Sequence, residues 1–170
     1  MMKFLEQTSK RTPLIVLFIA QIVVGAFLGL SLSNLSETTS GSGILDFEVG
    51  YSFEHVNELF ESYGSEGMRA YHQIQFIDLF NPLIYSLLFS SLMFLFLRNT
   101  RFQLLSLFGF LCGLLDYFEN FFLYRLSNSF PELSENLVSI SSAISVVKHS
   151  VLYLTILIFI VAIVNWIRKR

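Results

Sequence analysis

The sequence predicts an all-α integral membrane protein, a four-helix bundle with N and C termini cytoplasmic and one short amphipathic helix in its first outer loop. Three observations predict it. Of the 170 residues, 54% are hydrophobic and only 14% charged, with a mean hydropathy of +0.62. A single soluble core of this length cannot hide that much apolar surface. Four stretches are long enough to cross ~30 Å of hydrocarbon at ~1.5 Å per residue. They run roughly over Leu14 to Leu32, Tyr71 to Leu97, Phe102 to Leu126 and Leu137 to Ile167, within one membrane domain.

The third observation is the distribution of charge. Lys3, Lys10 and Arg11 precede span 1, Arg98 and Arg101 lie between spans 2 and 3, and Arg168, Lys169 and Arg170 follow span 4. With both termini inside, all of these satisfy the positive-inside rule for a multi-pass protein of a bacterial cell membrane. The first outer loop, about residues 33–70, instead carries Glu37, Asp46, Glu48, Glu54, Glu58, Glu61 and Glu66, with no Lys or Arg before Arg69. The second holds Glu132 and Glu135.

Span 1 could also be a cleaved signal peptide, because basic residues precede it and Ser31-Leu32-Ser33 is a passable small-x-small site. Its apolar run slightly exceeds the usual ~7–15 residues of such a signal, which favours a retained helix. Gly25 and Gly29 form a small-xxx-small pair that would let another helix approach closely.

The outer loop starts as a Ser/Thr/Gly-rich linker over 33–43. Residues 52–64, SFEHVNELFESYG, then carry a helix signature. Ser52 is the expected N-cap and Gly64 the expected C-cap residue. Phe53, Val56, Phe60 and Tyr63 share one face. The expectation is a helix lying on the outer membrane surface over the mouth of the bundle; an ordinary packed loop helix is the simpler alternative.

In span 2, Tyr71 and His72 would form a rim one to two turns above Asp78. Pro82 has no N–H and clashes with the carbonyl four residues earlier, which belongs to Asp78. The expected kink therefore sits beside Asp78, Asn81 and Tyr85. Such broken backbone is tolerated in membranes where it is packed in protein or lines a polar cavity.

Span 3 carries LLDYFENFF, where Asp116, Glu119 and Asn120 stand at i, i+3 and i+4 on one helical face. Span 4 opens with Ser139, Ser141, Ser142 and Ser145, read as small residues for close helix packing. Lys148 and His149 follow. A Ser–Lys nucleophile using Ser145 or Ser141 is disfavoured, because an adjacent acid would hold the lysine charged. Trp166 is an interfacial anchor near the inner end.

The depths of these groups coincide. Asp116 lies ~21 Å up span 3, Asp78 ~10 Å below Tyr71, and Lys148 and His149 ~16–18 Å below Leu137. Three helices thus deliver ionisable groups to the outer side of the midplane. Each would cost ~2.5–3.5 kcal/mol facing lipid, so they should face inward and satisfy one another. Lys148 is the expected partner of Asp116 or Glu119.

The order of these motifs, "GYSFEHVNELFESYGSEGMRAY", "DLFNPLIY", "DYFEN" and a lysine in the last span, resembles small, functionally uncharacterised bacterial four-span integral membrane proteins. The resemblance covers about residues 50–155. Where those proteins often show "FP", this chain has Asn81-Pro82, which keeps the kink. The resemblance implies a fold and a membrane location, with no activity to transfer.

Several function classes are excluded. Cys112 is the single cysteine, so no internal disulfide forms, and it packs as a small apolar residue. No nucleotide loop, zinc motif, internal repeat or basic nucleic-acid patch is present, and no cofactor is specified. The candidate site is a polar cluster of His72, Asp78, Asn81, Asp116, Glu119, Asn120, Lys148 and His149, without metal-ligand spacing. It would bind or transfer a small polar ligand or lipid headgroup reached from the outer face. Two alternatives stand beside that reading. The charges could only clamp the helices of an accessory subunit that partners other membrane proteins. Or the protein could be a lipid-modifying enzyme with a carboxylate or His149 as general base.

Overall fold

The structure, a computed structural model, describes residues 1–168. Among the described residues it is all-helical: α1 (Met2–Thr8), α2 (Arg11–Thr38), α3 (Phe53–Asp78), α4 (Asn81–Leu97), α5 (Phe108–Ser129) and α6 (Glu135–Arg168). Short 3₁₀ turns at Leu45–Phe47 and Gln103–Leu107 interrupt the connections. Four segments are long and apolar enough to cross a membrane: α2, α3 with α4, the turn at Gln103 with α5, and α6.

Successive long segments run antiparallel, as their contacts show. Gln21 bonds Asn81, while Thr8 bonds Ser91 further along α4. Tyr117, Asn120 and Ser127 of α5 meet Leu79, Asp78 and Gln75 in reverse order. Glu119 and Cys112 of α5 meet Lys148 and Thr155 of α6. The apolar window of α2 has none of its residues buried, and Val16, Phe18, Ile22 and Phe27 stand exposed on its surface. Such a surface suits hydrocarbon rather than water.

The loop helix forms as its spacing predicts and ends differently. The Ser52 hydroxyl accepts from His55 N–H at 3.2 Å, capping α3. Val56, Phe60 and Tyr63 are buried, and Phe53 packs against the same cluster. That face rests on the protein's own Leu35, Leu45, Leu123, Leu126 and Val138. Gly64 does not stop the helix. It takes φ 57° and ψ −166°, a conformation that glycine adopts without a Cβ clash, and the helix resumes in a new direction as far as Asp78. The reason lies in the sequence beyond it: Gly67, Ala70, Tyr71 and Ile74 continue the buried face, so packing restarts the helix at once.

At Pro82 the expected kink is a full break. α3 ends at Asp78, Leu79 and Phe80 form a turn, and α4 starts at Asn81 with Pro82 in its first turn. Proline is tolerated there because a first-turn N–H would have no helical partner. The Tyr117 hydroxyl donates to the Leu79 carbonyl at 2.8 Å, so one carbonyl at the break is satisfied from α5.

Close helix approach falls to other glycines than the ones the pattern singled out. Around Gly25 and Gly29 there is open space. On α5, a Cβ at Gly113 would stand 2.6 Å from Ser86 Cβ and 2.9 Å from the Pro82 carbonyl oxygen; one at Gly109 would meet Ser90 N at 2.7 Å. The Gly109/Gly113 pair packs onto Ser86 and Ser90 of α4, which fixes the height of Asp116 and Glu119 against Asp78.

Candidate functional site

Asp78 stands at the end of α3, where the broken backbone lets side chains from two other helices reach it. Asn81 Nδ2 donates to Asp78 Oδ1 at 3.1 Å and Asn120 Nδ2 to Asp78 Oδ2 at 2.6 Å. Asn81 in turn accepts from Gln21 Nε2 at 2.9 Å, which ties α2 into the network.

Lys148 of α6 lies on the other side. Its ammonium contacts Glu119, stands 3.4 Å from Asp116 Oδ1 and donates to the Asp46 main-chain carbonyl at 3.2 Å. Asp116, Glu119, Lys148 and His149 are all buried, Glu119 completely. The i, i+3 spacing on α5 thus aims two carboxylates at one ammonium, as the pattern predicts. His149 Nδ1 sits 2.9 Å from the Ser145 carbonyl, which can only accept. Nδ1 therefore carries the proton, and in the neutral ring Nε2 is an acceptor.

The loop between α2 and α3 closes one end of this site. Tyr51 N–H donates to Ser142 Oγ at 2.8 Å, and the Tyr51 hydroxyl bonds Ser141 Oγ at 2.6 Å. Ser145 Oγ donates to the Glu48 carbonyl at 2.7 Å. Gly50, at φ 82°, lies against α6 so closely that a Cβ would stand 3.0 Å from Val146 Cγ2. Ser141, Ser142 and Ser145 of α6 are thus loop receptors. With its hydroxyl proton on Glu48 and the neighbouring Lys148 held by acids, Ser145 is not set up as a nucleophile.

Asp46 enters through this loop. Its carboxylate accepts from Tyr71 Oη at 3.2 Å. Burial, with the nearby charges of Glu119 and Asp78 adding and Lys148 opposing, raises its pKa from 3.8 to about 7.

A half-enclosed cavity of about 370 Å³ lies among these groups. Asp46, Asp78, Asn81, Asp116, Lys148 and His149 give it a polar wall. Leu28 and Leu32 of α2, Phe47 of the loop and Leu152 of α6 give it an apolar one. No family model, no curated protein and no solved structure matches the chain.

Of the eight residues singled out in the sequence, the structure gathers seven. Asp78, Asn81, Asp116, Lys148 and His149 line the cavity, with Glu119 and Asn120 bonded to them from behind. His72 stands apart, on a shallow groove with Ser31, Arg69 and Phe76 between α2 and α3. Among the described residues, no group of three or more His, Cys, Asp or Glu is placed to hold a metal ion.

Sequence reasoning missed Asp46 and Gln21. Gln21 is the one polar side chain between Leu14 and Leu30, which is a signal for an inward-facing contact. Asp46 is flanked by Ile44, Leu45 and Phe47, an apolar island in an otherwise polar loop.

Proposed function

We propose that the chain is a multi-pass protein of a bacterial cell membrane, with both termini cytoplasmic, whose buried polar cavity near the outer face binds or transfers a polar ligand or lipid headgroup. The observation that carries this reading is the cavity itself. Charges that serve only as a clamp would close on one another, as Lys148 and Glu119 do. Asp46, Asp78, Asp116 and His149 instead surround about 370 Å³ of space. Ligand sites are concave, with apolar walls and a few convergent polar groups, and this cavity has both.

The clamp reading keeps one specific support, the completely buried Glu119 joined to Lys148. The two roles divide between residues: the Glu119–Lys148 pair holds α5 to α6, and the remaining polar groups face the ligand. The test is native mass spectrometry of the full chain released from membrane patches. A retained small molecule, lost in Asp116→Asn without loss of thermal stability, supports the reading. A wild-type protein that flies with no bound species, and whose cavity takes up no lipid on titration, refutes it.

A further inference from the structure

From the same cavity we infer the class of ligand: a membrane amphiphile with a primary ammonium headgroup, which enters sideways between α2 and α6. The inference rests on the ligand-binding reading above and adds the ligand's charge, its donors and its route.

The polar wall is saturated with acceptors. Lys148 donates to Glu119 and to the Asp46 carbonyl and stands 3.4 Å from Asp116 Oδ1, so its charge is already met by acids. The Asn81 and Asn120 amides already bond Asp78, and the Tyr85 hydroxyl stands beside Asp116. Beside Lys148, Asn81 and Tyr85, the space is faced by Asp46, Asp78, Asp116 and the His149 ring, whose Nε2 accepts in the neutral ring. Three carboxylates, those of Asp78, Asp116 and Glu119, gather around one lysine with the Asp46 carboxyl beside them, and amide donors hold Asp78 without cancelling its charge. Burying such an excess is costly unless a cation joins it. Hydrogen-bonding acceptors further select a cation that carries N–H groups.

The route follows from how the helices pack. α2 packs on α3 and α4, whereas α6 packs chiefly on α5. Leu28 and Leu32 of α2 and Leu152 of α6 line the cavity where these two helices face each other. The loop pinned to Ser141, Ser142 and Ser145 covers the end of the site. Close in sequence to these leucines, Phe27 and Leu30 on α2 and Tyr153 and Ile156 on α6 are exposed. A headgroup can thus sit among the acceptors while its chain leaves past Leu28 and Leu152 into hydrocarbon.

The test uses the delipidated full chain and three lysophospholipids of one acyl chain, with ethanolamine, choline or glycerol heads, read by native mass spectrometry. Choline keeps the positive charge without N–H donors, and glycerol removes the positive charge, the phosphate being common to all three. The ethanolamine lipid should be retained at least tenfold better than either. Asp116→Asn and Asp78→Asn should each erase the preference, and Leu152→Trp, which fills the portal without touching the polar wall, should weaken binding at unchanged melting temperature. Free ethanolamine should compete at least a hundredfold more weakly than the lipid. Equal retention of the three heads, or a free amine that binds as well as the lipid, overturns the inference and leaves the binding reading standing. Failure of all three lipids to bind overturns the inference, and overturns the binding reading too when the protein released from membrane patches carries no bound species.

Discussion

Lys148 Nζ donates to the main-chain carbonyl of Asp46 at 3.2 Å, joining residues 102 apart in the chain. The last helix therefore holds the loop between α2 and α3 through the same ammonium that neutralises Glu119. Loop closure and helix pairing are energetically one unit at this point. Replacing Lys148 by Met should leave a carboxylate unpaired at a completely buried position, a change that costs about 3–5 kcal/mol in buried pairs. Lys148→Met with Glu119→Leu should recover most of that loss. Thermal or denaturant unfolding in one detergent checks it, and simple additivity of the two changes would show that the pair is not coupled.

Asp46 makes loop docking depend on pH. Its pKa in the folded protein, about 7, lies above the ordinary 3.8, so the docked loop favours the protonated form. The contribution of this group is fully present below pH 3.8 and is lost as pH rises through 7. The groups around it are Glu119 and Asp116 from α5, Lys148 and His149 from α6, Tyr71 and Asp78 from α3, and Glu48 and Tyr51 in the loop. Exchange of the Tyr51 amide hydrogen, corrected for intrinsic rate, should show weaker protection at pH 8 than at pH 5. Asp46→Asn, neutral throughout, should flatten that difference.

Much of this site was legible in the sequence, and for one reason. Ionisable groups inside apolar helices have few tolerable positions, so the depths of Asp78, Asp116, Glu119 and Lys148 already implied their meeting. The i, i+3, i+4 face of α5 then named its own three contributors. What periodicity could not convey was the path of the loop. Asp46 and Tyr51 reach α6 through an irregular segment whose direction depends on Gly50 and on serine hydroxyls, neither of which leaves a periodic trace. His72 was placed with the cluster by depth alone. Its azimuth on α3 turns it toward α2, away from Asp78.

Gly50 should be the residue on which the loop depends most. It combines φ 82° with a close approach to Val146 and Ser142, so an alanine there meets both backbone strain and a steric clash. Strain of this type costs on the order of 1–3 kcal/mol. Gly50→Ala should raise Tyr51 amide exchange and open the cavity to a polar thiol-reactive probe directed at Cys112, which lines it. Ser142→Ala, which removes one acceptor and no space, should give the same direction with a smaller effect of about 1 kcal/mol.

The two glycine pairs separate pattern from use. Gly113→Ala would push a Cβ to 2.6 Å from Ser86 Cβ and 2.9 Å from the Pro82 carbonyl oxygen. The second atom is backbone at the helix break and cannot swing away, so α5 must shift against α4. Overpacking of this sort costs about 1–3 kcal/mol, and the shift would also draw Asp116 and Asn120 away from Lys148 and Asp78. Gly25→Ala meets no atom within 4 Å and replaces glycine inside a helix, which by propensity alone favours the variant by about 1 kcal/mol. Melting temperatures of the two variants should therefore move in opposite directions. A loss at Gly25 as large as that at Gly113 would mean that α2 meets another chain through its small-residue face.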